Sequence, residues 1–113
     1  MHIRTIYFKV TDLDPARAFW TNFLGTAPHK DFEGWCEFMV GEVRLALLPL
    51  DNVPVGSSCV PVFELPNLTT LRERADQALG LGAKPFFDVP DDASSVVLLD
   101  PAGNQFELTD FHD

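Results

Sequence analysis

The chain has 113 residues, 46% of them hydrophobic and ten of them Phe, which is enough for one globular domain that needs no covalent staples. A formal net charge of −9 argues against nucleic acid and anionic membrane surfaces as partners. No run approaches the roughly 18 uninterrupted apolar residues of a membrane span. Met1-His2-Ile3-Arg4-Thr5 lacks the charged and apolar regions of a signal peptide, so the expected location is cytoplasmic. Cys36 and Cys59 stand alone, with no CxxC spacing, and are expected to be reduced, mostly buried thiols.

Ile3 to Val10 alternates as a strand, with Ile6, Phe8 and Val10 on one face and Thr5, Tyr7 and Lys9 on the other. A helix follows, which Asp12 or Asp14 can cap, Pro15 can open and Gly25 can close. Its apolar stripe is Ala16, Phe19, Trp20, Phe23 and Leu24, which marks Trp20 and Phe23 as core. Gly34 to Val40 and Val43 to Leu48 read as two strands joined near Gly41-Glu42, the second stopped by Pro49. Asp51 to Ser58, with Pro54, Gly56 and two serines, reads as a linker or loop.

The order then repeats. Val60 to Leu65 is a predicted strand, and Asn67 or Thr69 can cap a second helix with the stripe Leu68, Leu71, Ala75, Ala78 and Leu79. Gly80 or Gly82 ends it, and Lys84 to Val89 and Ser94 to Leu99 follow as strands. Asp100 and Pro101 suit the first two positions of a type I turn, with Gly103 as the left-handed residue after it. Gln105 to Thr109 then returns as the last strand, with Phe106 and Leu108 on one face and Gln105, Glu107 and Thr109 on the other. Val10-Thr11-Asp12 aligns with Leu65-Pro66-Asn67 at an offset of 55 residues, so the economical description is two βαβββ-like halves.

Several segments in this order carry a family resemblance. They are Val10-Thr11-Asp12-Leu13-Asp14, Ala18-Phe19-Trp20, Phe23-Leu24-Gly25, Val43-Arg44-Leu45-Ala46-Leu47, and Asp100-Pro101-Ala102-Gly103-Asn104-Gln105-Phe106-Glu107-Leu108. In them the chain resembles the vicinal oxygen chelate superfamily, which includes glyoxalase I, extradiol dioxygenases and bleomycin-resistance proteins. The resemblance implies an α+β fold. In it two βαβββ modules, about residues 1–57 and 58–113 of one domain, form a curved mixed sheet around a cavity with the helices outside.

The superfamily's catalytic members hold a divalent metal with His and Glu side chains from strands. Carried over, the last ligand position falls on Glu107, and the other three fall on Thr5, Val60 and about Ala46. Those three supply no strong ligand, and a lone Glu does not hold a metal at neutral pH. No metal or other cofactor is therefore expected. The runner-up, a metal-dependent lyase or dioxygenase, needs a histidine reaching in from a loop or a second subunit. His2, His29 and His112 all lie outside the predicted ligand positions.

Strand register gives the expected lining of the cup: Thr5, Tyr7 and Lys9; Val60, Val62 and Glu64; Arg44, Ala46 and Leu48; Gln105, Glu107 and Thr109; with Trp35, Glu37 and Met39 as candidates from a strand of ambiguous alternation. This is a partly apolar cavity with a few charged groups, as small-molecule sites commonly are. The expected binding residues are Thr5, Lys9, Trp35, Arg44, Leu48, Val62, Glu64 and Gln105, although Lys9 and Glu64 are also read as neutralising each other. Tyr7 and Glu107 are the candidate acid and base of metal-free chemistry in a dry cavity. The function expected is binding of a small, partly apolar molecule, by a protein that forms a homodimer.

Overall fold

The computed structural model describes residues 3–51, 60–86 and 92–110. His2, Cys59, His112, most of the Asp51 to Ser58 linker and the end of the strand expected over Lys84 to Val89 lie outside the described residues. Two units divide the chain, Met1–Val55 and Gly56–Asp113. Each runs strand, helix, strand, strand, strand.

The first unit comprises β1 (Thr5–Val10), α1 (Leu13–Leu24), β2 (Lys30–Phe32), β3 (Trp35–Val40) and β4 (Val43–Pro49). Its sheet has the order β1-β4-β3-β2, with β1 and β4 parallel and the other pairs antiparallel. The parallel pair requires a long crossover, and α1 begins it. Asp12 caps the helix by accepting the Asp14 amide at 3.3 Å, and Gly25 closes it, its amide donating to the Thr21 carbonyl at 3.0 Å. Ala16, Phe19, Trp20 and Phe23 are buried, as the stripe required. Phe8 stacks on Trp20 at 5.6 Å between ring centroids, and Cys36, Phe38, Leu45 and Leu47 complete this core. Burial pushes the Cys36 thiol up, which keeps it protonated and unreactive.

The second unit comprises β5 (Val62–Glu64), α2 (Leu68–Gly80), β6 (Lys84–Pro85), β7 (Ser95–Leu99) and β8 (Gln105–Thr109), in the order β5-β8-β7-β6 with β5 and β8 parallel. Asn67 caps α2 by accepting the Thr70 amide at 2.8 Å. Leu71, Ala75 and Ala78 are buried with Leu98, Phe106 and Leu108. Between β7 and β8 the Gly103 amide donates to the Asp100 carbonyl at 2.9 Å, closing the turn, and Gly103 takes φ 93°. The buried Asp100 carboxylate also accepts the amides of Ala102 at 3.0 Å and Asn104 at 2.8 Å, so the turn is held from inside.

Three expectations need correction, and one strand is additional to those expected. Gly34 does not begin a strand: it sits at φ 93° in a two-residue turn that pairs Phe32 with Trp35. The strand before that turn, β2, has no alternation to reveal it, because all three of its residues are exposed at the sheet edge. Leu79 is exposed rather than part of the buried stripe: within α2 it stands at the edge of the face that buries Leu71, Ala75 and Ala78. The strand expected over Val60 to Leu65 is shorter, Val62–Glu64, with the Pro61 carbonyl and the Leu65 amide still bonded to β8 at its two ends. Among the described residues, no helix is long and apolar enough to cross a membrane.

Candidate functional site

In the first unit, one face of the sheet packs on α1 and the other carries most of the expected lining. Register aligns Tyr7 with Ala46, Ala46 with Glu37, and Glu37 with Lys30. On one side of that row Thr5 aligns with Arg44 and Arg44 with Met39, and on the other Lys9 aligns with Leu48 and Trp35 with Phe32. In-register neighbours point to the same side of a sheet. Thr5, Tyr7, Lys9, Arg44 and Leu48 therefore share one face, as alternation predicted, and register places Trp35, whose facing alternation left open, with them.

Apolar surface collects on this face. Tyr7 is 48% exposed, Phe32 58% and Met39 39%, and the Tyr7 and Trp35 rings lie 6.0 Å apart at 55°. Exposed rings grouped on one side of a sheet are the usual make-up of a binding surface.

Glu37 stands in the middle of the face and is only 1% exposed. Its carboxylate is met from three sides. The His29 ring Nε2 bonds Oε2, Trp35 Nε1 donates to Oε1 at 3.0 Å, and Arg44 Nε lies 3.3 Å from Oε2. Burial by itself pushes the Glu37 carboxyl up, but the hydrogen bonds from His29 and Trp35 and the charges of His29 and Lys30 outweigh it. The net result is a carboxyl below its ordinary value, ionised at neutral pH. With the carboxylate ionised, His29 Nε2–H is the donor in its bond.

The sequence reading missed this cluster in its choice of site residues. The sequence puts His29 outside the predicted ligand positions and Glu37 on a strand of ambiguous alternation. A usable signal existed. Counting back from the Glu33-Gly34 turn brings residue 30 opposite 37, and the His29 amide indeed donates to the Glu37 carbonyl at 2.9 Å.

In the second unit, Val62 aligns with Glu107 and Glu107 with Val97, so this half-buried carboxylate is flanked by two valines. Glu64 aligns with Thr109, and Gln105 with Leu99, on the same face. The Thr109 hydroxyl donates to the Ser94 carbonyl and accepts from Ser95, both at 3.0 Å, which gives it a structural role at the strand end. Tyr7 belongs to the first unit and Glu107 to the second, so neither unit by itself contains the acid–base pair.

The residues present do not fit the superfamily's metal. Of the four carried-over positions Thr5 and Ala46 lie on β1 and β4, Val60 precedes β5, and only Glu107 carries a carboxylate. Both Glu37 oxygens are already engaged, and a cation beside them disfavours a second one. Among the described residues, no group of three or more His, Cys, Asp and Glu side chains converges on a point.

Comparison with known proteins covers nearly the whole chain. A family model described as a glyoxalase-like domain matches residues 5–109. A glyoxalase-related enzyme from Fulvimarina pelagi superposes with a TM-score of 0.82 at 16% identity, over 96% of this chain and 87% of that one. A glyoxalase/bleomycin resistance protein/dioxygenase family enzyme from Burkholderia phytofirmans gives 0.81 at 14% identity, over 96% and 97%. The fosfomycin resistance protein FosX from Listeria monocytogenes, in a complex with Mn(II) and a dihydroxypropylphosphonic acid, gives 0.78 at 15%, over 99% and 90%. No curated protein matches the chain by sequence. At such identities the structural likeness establishes the fold, while the matched domain, running from β1 to the end of β8, establishes the family: the chain belongs to the glyoxalase-like proteins of the vicinal oxygen chelate superfamily.

Proposed function

We propose that the protein binds a small, partly aromatic molecule, without a metal ion, on the face of the first sheet that carries Tyr7 and Trp35. The observation that supports this most is the grouping of exposed Tyr7, Phe32 and Met39 with Trp35 around a fixed, charge-compensated carboxylate. Rings supply area for a flat ligand, and a buried network of satisfied polar groups keeps them in place. Family membership fits such a role, and the missing ligands at Thr5, Ala46 and Val60 separate this chain from relatives that bind metal.

Protein purified without chelator is expected to carry no stoichiometric divalent metal. Elemental analysis finding about one Zn, Mn, Fe or Ni per chain would overturn the metal-free reading in favour of a lyase or dioxygenase. Binding itself is read from Trp35 fluorescence, since Trp20 is sealed in the α1 core and does not respond to a surface ligand. A titration with flat aromatic compounds should perturb the emission of the wild type, and the change should vanish in Trp35→Phe.

A homodimer is part of the same proposal. Exposed Ile3, Val62 and Phe86 offer apolar surface for a second copy to cover. Light scattering is expected to give twice the chain mass at micromolar concentration, and a monomer throughout would remove this element.

A further inference from the structure

The geometry points to a planar organic anion, a ring system bearing a carboxylate, as the ligand class of this face, gripped through Arg44. This rests on the binding reading above and specifies the ligand for the same site. Arg44 Nε is buried and makes no hydrogen bond, although Glu37 Oε2 lies only 3.3 Å away. The carboxylate is occupied instead by His29 and Trp35, so it attracts the guanidinium without consuming its donors. Its Nε side is thus anchored by charge. The side chain remains 28% exposed, and the terminal nitrogens are its accessible part. A guanidinium fixed at one edge with its terminal donors available is suited to two-point recognition of a carboxylate.

Two further observations agree. Among the described residues of β2, β3 and β4, this face carries Lys30 and Arg44 beside the carboxylate of Glu37, within a chain whose net charge is −9. A local excess of positive charge on an acidic protein draws an anion to that face and away from the rest of the surface. Arg44 also lies two residues along β4 from Ala46, whose row carries Tyr7. Two residues of strand span about 7 Å, comparable to the length of a bicyclic aromatic acid from its far ring to its carboxylate.

The test compares 2-naphthoate with 2-naphthamide, which share shape and ring area and differ in charge, by calorimetry on the intact protein. The carboxylate is expected to bind roughly tenfold more tightly, as charge-assisted hydrogen bonds exceed neutral ones by about that factor. The preference should disappear in Arg44→Gln and fall by about half on a logarithmic scale in Arg44→Lys, which keeps the charge and gives up the fork. Equal affinity of the wild type for both compounds overturns the anion class and leaves the binding reading standing. Binding of neither overturns both. A carboxylate preference that survives Arg44→Gln overturns the assignment of the grip to Arg44. Should Arg44→Gln fail to fold, the wild-type comparison and Arg44→Lys decide the matter.

Discussion

Glu37→Ala is expected to destabilise the first unit by roughly 2–4 kcal/mol. The substitution removes the acceptor of His29 and Trp35 together with the charge that faces Arg44, and leaves the Trp35 N–H and two cationic or polar groups facing a void. The full penalty for an orphaned buried charge is not reached, because the His29 and Arg44 side chains are each about a third exposed and water can reach them. Glu37→Gln should cost less, since its amide oxygen still accepts one donor while its NH2 opposes another. Denaturant melts giving less than about 1 kcal/mol for Glu37→Ala would mean that the cluster is ornamental and the ring arrangement does not depend on it.

The same carboxylate makes a prediction about acid. Its pKa is lower in the folded protein than the ordinary 4.5 of the unfolded chain, so folding favours the ionised form. Its contribution is therefore fully present above that value and is lost as pH falls through the lower folded value. The stability gap between wild type and Glu37→Gln should narrow as pH falls below about 4.5. A gap that widens below that pH would show that the carboxyl is held up by burial rather than down by its donors.

Phe106→Ala is expected to cost roughly 3–5 kcal/mol, while Glu107→Gln, one residue further on, should cost under ~1 kcal/mol. Phe106 is fully buried, sits across from Leu98 and meets Phe63 edge to face at 6.3 Å. Truncation leaves a cavity among Leu98, Leu108 and Phe63 that a strand held on both sides cannot collapse to fill. Glu107 points to the other face between Val62 and Val97, and the amide keeps its shape while removing a charge from apolar neighbours. Thermal melts in which Glu107→Gln is the more damaging change would make Glu107 a structural ion-pair partner and remove it from the functional residues.

What the amino-acid order determined by itself was everything governed by local periodicity. The α1 stripe, the Gly25 cap, the Asp100–Gly103 turn and the facing of β1, β4 and β8 all follow from apolar spacing and turn chemistry within a few residues, whereas the choice of Asp12 over Asp14 and of Asn67 over Thr69 as N-caps came with the structure. The repeat of those signals at an offset of 55 residues was enough to give the βαβββ order, while the family came from the resemblance carried by segments such as Asp100 to Leu108. β3 shows where this reasoning stops. Cys36, Glu37 and Phe38 are all buried, so no polar–apolar alternation marks which of them faces α1. Only the pairing of Glu37 with Ala46 settles it, through a register that spans the sheet. The His29–Glu37 contact is likewise a product of the tertiary structure. A histidine in a loop looks solvated until β2, a strand too short and too exposed to leave a hydrophobic pattern, folds it back against β3. Periodicity records which side of an element is apolar; it carries no record of which polar side chains a sheet brings together, because that depends on pairing between segments whose local sequences are independent of one another.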